Sequence, residues 1–270
     1  MTDQYAVVGN PIAHSKSPMI HAEFARQTGQ DLVYAKLCAP LDDFAGCVTA
    51  FRDGGGRGLN VTVPFKVEAF RLATRLTERA RLAEAVNTLK FDGDQILGDN
   101  TDGEGLVQDI LAGCAFPIAG KRVLVLGAGG ATRGILLPLI AQQPAALMVV
   151  NRTAAKAEEL RAHVADHFAV EAAGFEALAG REFDLLINAT SASLSATALP
   201  IAQDNFARGA LAYDLAYGNG ETVFMRQARV CGAAQVADGL GMLVGQAAES
   251  FYLWRGVRPD TAPVIALLRP

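Results

Sequence analysis

The clearest hydrophobic pattern in the chain is a buried strand that runs directly into a glycine turn. Residues 123–126 are all apolar, and Gly127, Gly129 and Gly130 follow them. An uninterrupted apolar run is typical of a parallel strand covered on both faces. A helix that begins near Gly130 would direct its positive end toward an anion bound at the turn. A second apolar run at residues 147–150 ends about twenty residues later, as a βαβ nucleotide-binding unit requires. A purely structural turn is the alternative.

The rest of the chain alternates between strand patterns and helix patterns. Strands are predicted at residues 5–9, 32–37, 58–63, 86–91, 95–98, 123–126, 147–150, 185–188, 211–214 and 234–236. Helices are predicted at residues 18–27, 41–52, 77–85, 103–112, 154–167, 240–254 and 261–268, with one more from near Gly130. The last two helices have no strand between them, which is typical of a tail that returns to the first domain.

This alternation predicts an α/β protein with two α/β domains. We expect a Rossmann-like, doubly wound cofactor domain over residues 102–238. An N-terminal α/β substrate domain over residues 1–101 would be completed by the C-terminal helices of residues 239–270. A chain of 270 residues, of which 51% are hydrophobic, is long enough to form two such cores.

Charge and cysteine content narrow the class of protein. The net charge of −4 offers no basic face for a nucleic acid. The four cysteines are scattered without a C-x-x-C pair, which favours reduced thiols and a cytoplasmic protein. The first residues lack the basic and apolar regions of a signal peptide. The most apolar stretch, residues 135–150, is interrupted by two prolines and two glutamines, so we expect no membrane span.

The residues after the strand at 147–150 bear on the choice of cofactor. Folds that prefer NAD usually place Asp or Glu here to bind the ribose 2′-hydroxyl. This chain has Asn151, Arg152 and Thr153, with Lys156 one helical turn later. A guanidinium and an ammonium can bind a 2′-phosphate, which predicts NADP. The alternatives are that Thr153 only caps the next helix and that Lys156 is a solvated surface charge.

Two candidate sites precede the glycine turn. Ser17 stands before Pro18, which is typical of a helix N-cap, and with Ser15 it could instead bind a carboxylate. Both interpretations stay open. Lys66 follows a strand that ends at Pro64, amid apolar residues. The ammonium either reaches solvent beside them or faces a cleft, where it can exchange a proton with an alcohol.

Other polar residues have competing interpretations. Asp102 supplies a carboxylate at the predicted domain boundary, or it is the N-cap of the next helix. Asn87, at the centre of a predicted strand, indicates a polar contact. His163 and His167 have the spacing of two zinc ligands, but Val164 stands where a metalloprotease needs glutamate, so no metal site is predicted. A G-x-S-x-G motif is absent, which argues against an α/β-hydrolase.

Eight motifs follow one another in the order found in a known family. They are GNP at 9–11, SKSP at 15–18, NVTVPFK at 60–66, NT at 87–88, NTD at 100–102, GAGGA at 127–131, NRT at 151–153 and ADGLGML at 237–243. Over nearly its whole length the chain resembles shikimate dehydrogenase. The resemblance implies NADPH-dependent reduction of 3-dehydroshikimate to shikimate, a step of the shikimate pathway of aromatic amino-acid biosynthesis.

The resemblance also implies roles for individual residues. Lys66 would be the acid/base, and Asp102 its hydroxyl-binding partner. The implied substrate contacts are Ser15, Ser17, Thr62, Lys66, Asn87, Asp102, Tyr217 and Gln246. The implied cofactor contacts are Gly127, Ala128, Gly129, Gly130, Ala131, Asn151, Arg152, Thr153, Lys156, Leu215 and Gly239, with Glu78 in a less distinctive segment.

Two departures from the family pattern lie outside the chemistry. Thr132 occupies the last position of G-x-G-x-x-G, which predicts looser helix–strand packing there. Leu215 stands where the family often carries Met, a swap that conserves volume.

Two alternative functions belong to different classes. The nearest alternative is a quinate/shikimate dehydrogenase with relaxed substrate choice. Arg152 and Lys156 argue against a preference for NAD, and the use of quinate stays open. A non-catalytic, NADP-sensing regulator would lack Lys66 or Asp102, and both are present. We expect a small-molecule substrate as partner, rather than nucleic acid or membrane, and both monomer and homodimer stay open.

Overall fold

The computed structural model describes residues 2–193, 197–218 and 220–269, and the contacts divide them into two units. Unit 1 contains Met1–Gly105 and Val244–Arg269, and unit 2 contains Leu106–Leu243. The boundaries predicted from the sequence, after residues 101 and 238, fall four and five residues before these divisions. Met1 and Pro270, the two ends of the predicted substrate domain, lie outside the described residues.

Unit 1 is built around a mixed sheet with strand order β2-β1-β3-β5-β6-β4. Strands β1, β2 and β3 are parallel, and β5 runs antiparallel to both of its neighbours, β3 and β6. The elements in chain order are β1 (Asp3–Gly9), α1 (Ser17–Thr28), β2 (Leu32–Cys38), α2 (Phe44–Asp53), β3 (Gly56–Val61), α3 (Lys66–Leu72), β4 (Arg75–Leu76), α4 (Glu78–Ala83), β5 (Thr88–Asp92), β6 (Gln95–Asp99) and α5 (Asp102–Gln108).

This topology places four chain segments at one edge of the sheet. Strands β1, β3 and β6 end at that edge, and β5 begins there because it runs in the opposite direction. The segments are residues 10–17, 62–66, 87 and 100–102, and we call this the site edge.

An aromatic cluster in unit 1 packs α1 against a later helix of the chain, Leu240–Arg255. His21 stacks on Tyr34, with ring centroids 4.2 Å apart, and lies beside Phe24, Phe251 and Trp254. Burial lowers the pKa of His21 to about 3, so the ring is neutral and behaves as part of the core.

Unit 2 is a parallel, doubly wound sheet with strand order β12-β11-β10-β7-β8-β9. The connection after β7 leads to β8 and the connection after β10 leads to β11, in opposite directions along the sheet, which makes the gap between β7 and β10 the topological switch point. Unit 2 and the C-terminal segment contain, after a π-helical turn at Asp109–Gly113, β7 (Arg122–Leu126), α6 (Gly130–Ala141), β8 (Ala146–Val150), α7 (Ala154–His163), β9 (Val170–Ala173), β10 (Phe183–Asn188), β11 (Phe206–Asp214), α8 (Val223–Val230), β12 (Gln235–Ala237), α9 (Leu240–Arg255) and α10 (Ala262–Leu268).

The predicted α/β fold is confirmed, but the sequence patterns missed two helices and two strands. The missed elements are α3, β4, β9 and α8. The predicted N-cap at Ser17 was wrong, because α1 begins at Ser17 and Lys16 occupies the cap position. Asn87 lies one residue before β5 rather than at a strand centre. Among the described residues, no helix is long and apolar enough to cross a membrane.

We predict that Gly58→Ala destabilises unit 1 by about 1–3 kcal/mol through overpacking. A methyl group on Gly58 would lie 2.5 Å from Nε1 of Trp254 and 2.7 Å from the carbonyl oxygen of Leu89, which already share a hydrogen bond. Trp254 is the single tryptophan, so its fluorescence during urea unfolding reports on unit 1. The control is Gly130→Ala, where a methyl group meets no atom within 4 Å. An unchanged midpoint for Gly58→Ala would contradict the prediction.

Candidate active site

A lysine and an aspartate form an ion pair at the site edge of unit 1. Lys66 is the first residue of α3 and Asp102 the first of α5. The Nζ of Lys66 lies 2.6 Å from Oδ2 of Asp102, and the two side chains are 31% and 16% exposed. The carboxylate stabilises the ammonium, and both groups can still be reached by a ligand. Asp102 is therefore the first residue of α5 and does not occupy the N-cap position. The N-cap was the alternative role that the sequence left open.

The second oxygen of Asp102 is held by Asn87. The buried amide of Asn87 donates through Nδ2 to Oδ1 of Asp102 at 2.8 Å and to Oγ1 of Thr101 at 3.0 Å. Its carbonyl oxygen accepts from the backbone N–H of Thr101 at 2.9 Å. Each carboxylate oxygen of Asp102 thus has its own donor, Lys66 on one side and Asn87 on the other, which fixes the plane of the carboxylate.

A buried layer of amides and hydroxyls supports this pair from α9. Oε1 of Gln246 lies 3.4 Å from Nδ2 of Asn87, and the backbone oxygen of Gln246 accepts from Oγ1 of Thr101 at 3.0 Å. Behind them, Thr88 and Ser250 share a 2.7 Å hydrogen bond and are fully buried. Sequence reasoning quoted Thr88 only as part of the NT motif and missed Ser250.

Two serines and a threonine lie on neighbouring loops of the site edge. Ser15 accepts from the backbone N–H of Ser17 at 3.3 Å, and the two hydroxyls are 3.2 Å apart. The backbone N–H of Thr62 donates to Val8 at 3.0 Å, which fixes the loop after β3 beside the end of β1. A methyl group on Gly9 would lie 2.6 Å from Cγ2 of Thr62, so only glycine permits this approach. The three hydroxyl side chains thus belong to the edge that carries Lys66.

The apolar residues around Lys66 do not bury it. Val63 is 68% exposed and Val67 47% exposed. The ammonium of Lys66 is therefore paired with a carboxylate and is still accessible to a ligand.

Unit 2 has a cavity of about 570 Å³ at the carboxyl ends of β7, β8 and β10. A methyl group on Gly129 or Gly130 would meet no atom within 4 Å, so the glycine turn faces open space. Thr132 is fully buried, and its hydroxyl donates to the carbonyl of Gly127 at 2.8 Å, at the point where looser packing was predicted. The wall is formed by Gly127–Gly129, Asn151–Thr153, Lys156, Phe175, Ala189–Ala192 and Thr197–Pro200.

Two cations on the rim of this cavity have no carboxylate partner among the described residues. Arg152 and Lys156 are exposed and line the cavity. Asn151 donates through Nδ2 to the carbonyl of Thr153 at 2.9 Å and so shapes the turn before α7. Thr153 occupies the N-cap position of α7 but its hydroxyl makes no capping hydrogen bond. The side chain of Thr153 therefore does not cap α7, which was the alternative role considered from the sequence.

Of the remaining residues predicted to contact substrate or cofactor, some lie in unit 1 and others in unit 2. A methyl group on Gly239 would lie 2.2 Å from the carbonyl oxygen of Leu215, so these two cofactor candidates are adjacent in unit 2. Tyr217 is 43% exposed on the loop after β11. Glu78, at the start of α4, belongs to unit 1 and is exposed. No group of three or more His, Cys, Asp or Glu side chains in the described part of the chain could hold a metal ion.

Comparison with known proteins gives family matches along most of the chain. A model of the shikimate dehydrogenase substrate binding domain matches residues 7–89. Models of shikimate / quinate 5-dehydrogenase and of the shikimate 5′-dehydrogenase C-terminal domain match residues 110–210 and 239–269. The shikimate dehydrogenase (NADP(+)) of Nitrosospira multiformis is 57% identical over 269 residues, covering 100% of this chain and 98% of that relative. The chain belongs to the shikimate dehydrogenase family.

Solved structures agree with this membership, and the predicted resemblance is confirmed. An Ael1 enzyme from Pseudomonas putida matches with a TM-score of 0.95 at 50% identity, covering 100% of this chain and 99% of that one. The shikimate 5-dehydrogenase of Thermus thermophilus, solved with NADP(H) and shikimate, matches with a TM-score of 0.86 at 33% identity, covering 98% of each chain.

We predict that Arg152→Ala weakens NADP binding and leaves NAD binding nearly unchanged. The loss of a charged hydrogen bond to a 2′-phosphate corresponds to about 1.5–3 kcal/mol, or roughly ten- to a hundredfold in Kd. Salt should weaken NADP binding more than NAD binding for the same reason.

Calorimetric titration of both cofactors measures this difference. The matched control is Arg161→Ala on α7, the helix that follows Arg152, since Arg161 pairs with Glu158 and does not line the cavity. Equal losses for NADP and NAD in Arg152→Ala would show that Arg152 does not recognise the phosphate.

Proposed function

We propose that this member of the shikimate dehydrogenase family catalyses the reversible, NADPH-dependent reduction of 3-dehydroshikimate to shikimate. The observation that supports this most directly is the Lys66–Asp102 pair, 2.6 Å apart and accessible at the site edge of unit 1. We assign unit 1 to substrate binding and proton transfer and unit 2 to the cofactor. The family matches and the NADP-named relative agree with this assignment.

Lys66 and Asp102 divide the proton transfer between them. Bound NADPH supplies a hydride to the carbonyl carbon of the substrate. The Lys66 ammonium donates a proton to the oxygen that becomes the hydroxyl group, and in the reverse direction the neutral amine accepts it. Asp102 accepts a hydrogen bond from a substrate hydroxyl and holds the ammonium in place. Asn87 keeps the carboxylate in the plane that allows both contacts.

The other site-edge residues bind and orient the substrate. Ser15 and Ser17, whose hydroxyls are 3.2 Å apart, are the donors we assign to the substrate carboxylate. Thr62 and Gln246 are assigned to the ring hydroxyls, because Thr62 lies on the loop that leads to Lys66 and Gln246 contacts Asn87, the partner of Asp102. Tyr217 is assigned to the substrate from the family pattern.

The residues of unit 2 suit a dinucleotide with a 2′-phosphate. The open glycine turn Gly127–Ala131 accepts the pyrophosphate, and Arg152 and Lys156 supply uncompensated positive charge beside it. The turn residues Asn151 and Thr153 would border the adenosine ribose, and Leu215 with Gly239 would line the nicotinamide end. Glu78 is kept as a weaker cofactor contact. The cofactor is NADP.

A relaxed choice between shikimate and quinate is the alternative function. One of the matching family models covers shikimate and quinate dehydrogenases together. We also propose that the enzyme acts in the cytoplasm, since the four cysteines, all among the described residues, form no disulfide bond.

The direct test is oxidation of shikimate and of quinate, each with NADP⁺ and with NAD⁺, followed by the absorbance of the reduced cofactor. We expect the highest kcat/KM with shikimate and NADP⁺. Turnover of quinate at a similar kcat/KM would favour the relaxed alternative. Absence of turnover in all four assays would refute the proposed function.

We predict that Lys66→Met lowers kcat by roughly 10²–10⁴, because the proton donor is removed. Cofactor affinity should stay unchanged, since the cofactor cavity is built from unit 2. Asp102→Asn should also slow turnover, because an amide cannot stabilise the ammonium.

Steady-state kinetics and cofactor titration test this prediction. Lys90→Met is the matched control, because the ammonium of Lys90 bonds only a backbone carbonyl, that of Leu253, in unit 1. Wild-type kcat in Lys66→Met would remove Lys66 from the mechanism.

We predict that Ser15→Ala raises KM for shikimate and leaves NADPH binding unchanged. Loss of one hydrogen bond to a carboxylate corresponds to about 1.5–3 kcal/mol, so KM should rise roughly ten- to a hundredfold. The control is Thr28→Ala, which removes a hydroxyl from the far end of α1. If KM for shikimate does not change, Ser15 is only a loop residue.

A further inference from the structure

Arg79, which neither the sequence motifs nor the proposed mechanism uses, lies among three carboxylates in unit 1. Its Nε and Nη2 bond the two oxygens of Asp99 at 2.7 and 2.5 Å. Nη2 also lies 3.2 Å from Oε1 of Glu249, and Nη1 lies 3.3 Å from Oε1 of Glu104. The Arg79 side chain is 19% exposed and that of Asp99 only 1%. The guanidinium is therefore a largely buried junction between α4 and three other segments.

Two of the three carboxylates flank Asp102 in the chain, and the third lies near Gln246 on α9. Asp99 ends β6 three residues before Asp102, and Glu104 follows Asp102 by two residues on α5. Glu249 lies one turn of α9 beyond Gln246, the residue that contacts Asn87. Arg79 is thus bonded on both sides of Asp102 and to the helix that supports Asn87.

A continuous path of hydrogen bonds leads from Arg79 to Asp102. Asp99 accepts from the backbone N–H of Asn100 at 2.7 Å as well as from Arg79 and Thr77. The side-chain oxygen of Asn100 in turn accepts from the backbone N–H of Asp102 at 3.2 Å. The turn that presents the Asp102 carboxylate is therefore fixed from the side of Arg79.

We propose that Arg79 is a positioning residue for the reaction: it clamps the segments on either side of Asp102 and so directs that carboxylate toward Lys66. The inference rests on the proposed function. A planar guanidinium can bond both oxygens of Asp99 and still reach two further carboxylates, which a point charge on a lysine cannot do. The alternative is an ion-pair network that stabilises the fold without affecting the chemistry.

The first experiment compares the kinetics of Arg79→Lys with those of the wild type. The substitution keeps the charge but loses the two-pronged contact with Asp99. We expect kcat to fall about ten- to a hundredfold, because a displaced catalytic group is less effective. The KM for NADP⁺ should not change. Arg26→Lys is the control, since the exposed Arg26 pairs only with Glu23 on α1.

The second experiment repeats Arg79→Lys in the Asp102→Asn background. If Arg79 acts through the Asp102 carboxylate, the substitution has no further effect on kcat there. A purely structural role would lower kcat by the same factor in both backgrounds and would overturn the inference. Wild-type kcat in Arg79→Lys alone would also overturn it.

Two milder variants keep the inference testable if Arg79→Lys does not fold. Glu104→Gln and Glu249→Gln each remove one charged partner of Arg79 and leave its contact with Asp99. Each should lower kcat by a smaller factor that disappears in the Asp102→Asn background, and wild-type kcat in both would contradict the inference. An inactive wild-type enzyme would instead refute the proposed function, so the two failures are distinguishable.

Discussion

The orientation of the Asp102 carboxylate is the constraint that relates the other features of the candidate site in unit 1. A carboxylate beside an ammonium helps to transfer a proton only when both oxygens have fixed partners. Here Lys66 holds one oxygen and Asn87 the other. Asn87 can do so because β5 runs antiparallel to β3 and β6, which places its first residues where the other two strands end. The mixed order of the sheet, unusual beside the all-parallel sheet of unit 2, is thus directly related to the chemistry.

The features of unit 2 suit a different task, which is the binding of a polyanionic cofactor. The parallel sheet opens at the switch point between β7 and β10, and the glycine turn there has no side chains that would fill the space. The charge to which we assign the choice of cofactor is that of Arg152 and Lys156, which have no acidic partner in the described ranges 2–193, 197–218 and 220–269. An arginine already paired with a carboxylate would lose that contact on binding a phosphate, so unpaired cations are the better ligands.

The sequence predicted the long elements and the motif residues and missed what depends on tertiary contacts. Apolar runs such as residues 123–126 predict a central strand wherever they lie. The four-residue strand β9 and the two-residue β4 have too few positions for a periodic signal. Lys66 and Asp102 were found through motifs, but their pairing joins residues 36 positions apart, which no local pattern specifies. Arg79 and Ser250 were missed for the same reason, since an arginine next to a glutamate on a short helix is typical of a solvated face.

Burial distinguishes the ion pair that we propose for proton transfer from the ion pair that we propose as its support. The carboxylate of Asp99 is 1% exposed and accepts from Arg79, Thr77 and the backbone of Asn100, so it is occupied by protein donors and closed to a ligand. The carboxylate of Asp102, only three residues later, is 16% exposed and its partner Lys66 31%. A buried, fully bonded pair is costly to break and therefore rigid, whereas a partly exposed pair can exchange a hydrogen bond with a substrate. In our proposal, the rigid Arg79–Asp99 pair thus fixes the position of the Lys66–Asp102 pair that exchanges a proton.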